Sequence, residues 1–94
     1  MTDLNKYRSD IEEVDQTIIE LIDKRIGITK RIFEVKRREG KPIRGPEQES
    51  RVLRRAMDLA TEKNLDAGAV KNIYEILISM STQKQQELQG ENQS

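Results

Sequence analysis

The stretch IIELIDKRIGITKRIFEVK, residues 18–36, decides the fold. It continues a heptad seam that starts upstream, with Leu4, Ile11 and Ile18 in one row and Tyr7, Val14 and Leu21 in the other. Ile28, Ile32 and Val35 carry that seam onward. Nine of the ten seam positions from 4 to 35 are apolar or aromatic, and the tenth is Arg25. A stripe of this period belongs to helix packed on helix. Burying an unpaired guanidinium in it costs on the order of several kcal/mol, so Arg25 must meet an anion. A single polar residue in such a seam can also serve only to fix register, so both readings of Arg25 stand at this stage.

Around this stretch the punctuation marks three helices. The first runs from about Asp3 to Arg38, with Thr2 or Asp3 as N-cap and Gly40 and Pro42 as its stop. GPEQES opens the second: Gly45 at the cap, Pro46 at the first helical position, and Glu47 and Glu49 facing the positive end of the dipole. It ends near Asn64, which tolerates the left-handed conformation. The third starts from the N-cap Asp66 and runs to about Leu88, so residues 1–90 form one domain and 91–94 a frayed tail. No strand pattern competes, and the fold class is all-α.

The first helix is roughly 50 Å long, whereas a compact domain of this size has a radius of gyration of only about 13 Å. The two remaining segments are too short to cover its seam. A second copy of the same helix, antiparallel, is the economical partner, which predicts a homodimeric helical bundle. Composition agrees: 94 residues with 34% hydrophobic and 36% charged content build a meagre core alone.

Charge and residue usage narrow the function. Seventeen basic and 17 acidic residues cancel, which gives no long-range pull on nucleic acid or a membrane surface. With no cysteine and no histidine, thiolate nucleophiles, Cys/His metal sites and imidazole chemistry are excluded. Neither a leader pattern nor a long apolar run is present, so the chain reads as cytoplasmic.

Any cationic site is therefore local. Lys36 follows Arg25 by 11 residues, nearly three turns, and emerges at almost the same angle; the rise is roughly 16 Å. Arg8 lies near the same face but about 25 Å the other way, so only on an antiparallel partner does it reach Arg25. The third helix carries Val70, Ile73, Tyr74 and Leu77 as its apolar stripe, extended by Leu88 and interrupted by Ser81 and Gln85. In the second helix Glu49 precedes Val52, Leu53 and Ala56 at helical spacing and points inward. Separately, Ser81 and Gln85 read as helix-bridging polar groups, and Glu49 as a dipole partner or counter-ion. Together with the cations they suggest a site for a small polyanion, with no obvious nucleophile or tuned imidazole among them.

These residues carry a resemblance to the all-helical chorismate mutase family. It covers almost the whole chain and rests on YRSDIEEVDQTIIELIDKR with Arg8, Asp15 and Arg25, on EVKRREGKPI with Lys36, and on NLDAGAVKNIYEILISMSTQKQ with Ser81 and Gln85. The resemblance implies an intertwined homodimer with two sites, each borrowing an arginine from the other subunit. It further implies rearrangement of chorismate to prephenate, the step committed to phenylalanine and tyrosine, with neither metal nor cofactor. Carried over by position, Arg25 and the partner's Arg8 bind the carboxylates of this dicarboxylate, and Lys36 and Gln85 donate to its ether oxygen. Glu49 takes the ring hydroxyl with the backbone near Gly45, and Ser81 meets the ring-side carboxylate.

The sequence departs from the family pattern at Gly45 and Gln48, substrate-binding positions where the family commonly has aspartate and arginine. Arg44 and Arg51 are the candidates to replace the lost cation. Two alternatives accompany this reading: isochorismate pyruvate lyase activity on the same fold, and a non-catalytic helical dimerisation module. With the chain ending soon after the third helix, no fused dehydratase, dehydrogenase or amino-acid-sensing domain is expected.

Overall fold

The computed structural model describes residues 3–93, with side chains through Glu91. Three helices fill it: α1 (Asp3–Glu39), α2 (Pro46–Glu62) and α3 (Ala67–Gln93). Asp3 is already helical, and Thr2 lies outside the described residues. The ends follow the signals in the sequence. Gly40 adopts φ +68, and the amides of Gly40 and Lys41 bond to the carbonyls of Arg37 and Lys36 at 3.3 and 2.8 Å, a Schellman stop. Asn64, at φ 59, closes α2 the same way, with Asn64 N on Thr61 O and Leu65 N on Ala60 O. Asp66 Oδ1 accepts from the Ala69 amide at 3.1 Å and caps α3. The last helix does not stop at Leu88 but continues to Gln93. Glutamine and glutamate favour helix, and the lone Gly90 costs only about 1 kcal/mol.

Packing is lopsided. α3 lies against both α1 and α2, while α1 and α2 make no direct backbone approach to each other, which leaves a gap between them. The core is small: Phe33, Val52, Ala56 and Ala60 are its buried apolar members, joined by the polar Thr29 and Gln85. On α1 the face turned to its own chain is Ile22, Arg25, Ile26, Thr29, Phe33 and Lys36. The heptad seam is a different face. Its nine apolar members are all exposed, from 39% at Val35 to 63% at Tyr7. Arg25 stands at the boundary of the two and leans toward α3 rather than along the seam. Residues 3–20 are exposed on every side. With extents of 57 × 28 × 15 Å and a radius of gyration of 17.0 Å, the chain is far from the about 12–13 Å of a compact domain of its length.

On α3, Val70, Tyr74, Leu77 and Leu88 are half-buried, but Ile73 is 55% exposed. The inner stripe runs instead through Ile78, one turn beyond Tyr74, on the side where α2 packs. Among the described residues, no helix is long and apolar enough to cross a membrane.

Candidate active site

The gap between α1 and α2, floored by α3, is an open cavity of about 370 Å³. Arg25 and Lys36 from α1, Glu49 from α2, Ser81 and Gln85 from α3, and Gly45 and Gln48 at the start of α2 all border it. Seven of the eight candidate residues thus share one wall system. The eighth, Arg8, is exposed near the other end of α1. At 17 residues upstream of Arg25, it lies about 25 Å along the axis and cannot reach the cavity of its own chain.

Each side chain is held by a traceable contact. Arg25 Nη1 donates to Ser81 Oγ at 2.8 Å and to the Leu77 carbonyl at 3.3 Å, which ties α1 to α3. Beneath it the buried Thr29 hydroxyl lies 3.1 Å from Ser81 Oγ and 3.0 Å from the Arg25 carbonyl. One threonine proton serves one of these contacts, so when it bonds the carbonyl the Ser81 proton makes the other. Lys36 Nζ donates to the Ile43 carbonyl, pinning the loop, and to Gln85 Oε1 at 3.4 Å. Gln85 Nε2 donates back to the Ser81 carbonyl at 3.4 Å. Every buried side-chain nitrogen and oxygen among the described residues has a partner, as low-dielectric burial demands.

Glu49 sits at the mouth. Arg44 grips it through both oxygens, Nη2 at 2.7 Å and Nε at 3.2 Å. That hydrogen bond holds the Glu49 carboxyl below the usual carboxylate range; the charges of Arg44 and Lys36 and the Gly45 amide add to it, and burial opposes it. Arg44 itself, raised by the same bond, lies outside the cavity lining, in a neighbouring depression with Glu75 and Ser79. Arg51 Nη1 donates to Gln48 Oε1 at 3.3 Å and is not on the wall either. Neither arginine replaces a cation at Gln48: one is committed to Glu49 and the other turns outward.

Two of the expected residues have partners within the chain itself. Ser81, expected against a carboxylate, is the acceptor that fixes Arg25. Gln85 presents its oxygen to Lys36, so serving as a donor requires its amide to turn over. Sequence reasoning also missed two residues. Thr29, one turn beyond Arg25, had its spacing as a signal. Arg55, which borders the cavity, follows Val52 by three residues on the inward face of α2. The assembled wall is three cations and one carboxylate with amide and hydroxyl donors between them, suited to binding a small dianion and stabilising charge within it.

The sequence matches the family described as chorismate mutase type II over residues 7–86. It is 33% identical over 91 residues to the chorismate mutase of Methanocaldococcus jannaschii, covering 97% of this chain and 92% of that protein. A 4-amino-4-deoxychorismate mutase of Streptomyces venezuelae is 30% identical over 77 residues, 82% of this chain and 75% of the relative. Similarity to a bifunctional chorismate mutase/prephenate dehydratase of Buchnera aphidicola is 30% over 86 residues, 92% of this chain but 22% of that larger protein.

Proposed function

The chain belongs to the type II chorismate mutase family and is a chorismate mutase, and from that premise we propose how its residues carry the activity. Chorismate enters the cavity between α1 and α2 as a dicarboxylate and leaves as prephenate, in the route to phenylalanine and tyrosine. The rearrangement is intramolecular: the ether C–O bond breaks while a C–C bond forms, and no proton is transferred. The protein therefore needs to hold the enolpyruvyl arm over the ring and to stabilise the charge that develops on the ether oxygen.

Arg25, held by Ser81 and Leu77, binds one carboxylate, its fork matching two oxygens. Lys36 donates to the ether oxygen, and Gln85 joins it once its amide turns from Ser81 O. Both interactions strengthen as the bond stretches, so they favour the transition state over the bound substrate. Glu49, kept ionised and aimed by Arg44, accepts from the ring hydroxyl beside the Gly45 amide, and Gln48 lines the same edge.

The working unit is a homodimer, with the partner's Arg8 on the second carboxylate. The exposed heptad seam supports this. Nine apolar side chains stand 39–63% open on one helix, and covering each contributes on the order of 1 kcal/mol. An antiparallel second α1 matches the seam's length and brings the distant Arg8 back to the cavity. We infer a cytoplasmic setting from the metabolite it uses.

The observation that carries the reading is the convergence of Arg25, Lys36 and Gln85, from helices far apart in sequence, on one cavity whose charged lining is cationic except for Glu49. Purified protein should consume the diene absorbance of chorismate and yield prephenate. Salicylate plus pyruvate would indicate the lyase alternative, which relatives named as mutases do not favour. No turnover, and no rise in melting temperature with chorismate, would indicate the dimerisation module.

A further inference from the structure

The geometry points to Arg55 as a further substrate-binding residue, supplying from α2 a carboxylate contact to the substrate; this rests on the mutase reading of the same cavity. Three cations border the cavity: Arg25, Lys36 and Arg55. Two are occupied by protein groups, Arg25 by Ser81 and Leu77 and Lys36 by Ile43 and Gln85. Arg55 makes no hydrogen bond or ion pair with the described residues. Arg55 is exposed and also lines a shallow surface depression with Asp58 and Glu62, and it pairs with neither.

Its placement follows from helix arithmetic. Arg55 comes seven residues after Gln48 and three after the buried Val52, so it leaves α2 on the cavity face. It stands about 10 Å along the axis from Gln48. Arg51 and Arg54, its neighbours in RVLRR, leave on other faces and do not border the cavity.

Charge and chemistry complete the argument. The single carboxylate on the wall, Glu49, is already matched by Arg44 from outside, so the wall keeps an excess of positive charge. Lys36 serves the ether oxygen and Arg25 one carboxylate. Among the described residues of the wall, Arg55 is then the cation left for the other carboxylate, with the partner's Arg8 joining from across the dimer. A guanidinium that is solvated before binding and forks onto two oxygens afterwards contributes affinity without straining the free protein.

The test is steady-state kinetics on chorismate with Arg55→Ala, Arg55→Lys and, as control, Arg54→Ala. Losing a hydrogen bond to a charged group predicts a KM rise of about tenfold or more. The turnover number should change little, since the contact exists equally in bound substrate and transition state. Lysine restores the charge but not the fork, so its KM should fall between wild type and alanine. Arg54→Ala removes the same net charge from the same helix and should match wild type. Melting temperatures without substrate check that every variant folds. A wild-type KM in Arg55→Ala overturns the assignment, as does an equal loss in Arg54→Ala, which would mean a diffuse field rather than a contact. Wild-type protein that leaves chorismate unchanged would instead remove the mutase reading, and Arg55's role with it.

Discussion

If each site is shared, two individually defective chains should repair each other. Arg8 and Arg25 are separated by 17 residues of unbroken helix, about 25 Å, well beyond the reach of any side chain. Arg8 therefore serves the site of the opposite subunit or none. Take Arg8→Ala and Lys36→Ala as separate proteins. Arg8 is exposed and makes no hydrogen bond or ion pair with the described residues, so its removal should shift stability by less than about 0.5 kcal/mol. Lys36→Ala frees the Ile43 carbonyl and Gln85, a loss of about 1 kcal/mol of hydrogen bonding; if Lys36 is the charged donor to the ether, as proposed, kcat should drop by about 10²–10³. Unfolded together in urea and refolded at equal amounts, half of the dimers should be mixed. In a mixed dimer one site receives Arg8 from one chain and Lys36 from the other, while the second site lacks both. The mixture should therefore recover to about one quarter of wild-type activity per chain. The assay is chorismate absorbance on the refolded mixture, with each variant refolded alone as reference. A mixture no better than the mean of its parents would refute the shared site, whatever the oligomeric state proved to be.

Other outcomes follow from the same contacts. Gln85→Glu places a carboxylate 3.4 Å from Lys36 and, on the proposed role, opposite the ether oxygen; activity should collapse near neutral pH and return in part under acid conditions, and an unchanged pH profile would reject a donor role for Gln85. Arg44→Gln removes the largest influence holding the Glu49 carboxyl down, so its protonation moves to higher pH and the acid limb of the activity profile should move up with it; a limb that stays put would mean that Glu49 ionisation is not required. The sign holds for stability too: a depressed folded-state carboxylate stabilises above its unfolded pKa and loses that contribution as pH falls through the folded value, so Arg44→Gln should flatten the loss of melting temperature on acidification. Ile18→Glu, in the exposed seam at 48%, should leave the core of one chain untouched yet shift sedimentation toward monomer and abolish turnover; a fully active monomer would contradict the dimer.

The helix ends were legible because each is set by a residue whose chemistry acts locally. Gly40 and Asn64 take left-handed conformations, Asp66 accepts an amide, and Pro46 fits the first turn without losing a bond. The seam was legible for a related reason, its period, but that period does not say what the seam packs on. Within one chain its nine apolar members stay exposed, and Ile28 and Ile32 border the open cavity. The buried face of α1 lies beside it, through Thr29 and Phe33, and two neighbouring stripes on one helix blur into a single wide one when only spacing is read. Arg25 is a misfit in the seam by spacing, yet it lies on the border between stripes and reaches toward α3.

What escaped the sequence was pairing between helices, which depends on their relative rotation and rise. Arg44 and Arg51 were both candidates to replace a cation near Gln48, and nothing in RGPEQESR tells which way each turns. In the fold Arg44 wraps back over the first turn of α2 to Glu49, and Arg51 spends a donor on Gln48. Arg55, by spacing one more charge in RVLRR, borders the cavity and makes no hydrogen bond or ion pair with the described residues. The same rotation decides Ser81. Its spacing from Gln85 put both on one face, but only the height of α3 against α1 sets Ser81 under Arg25, where the arginine is fixed by contacts within the chain. An anion entering the cavity therefore finds Arg25 already oriented, and the ordering cost of that guanidinium falls on folding rather than on binding.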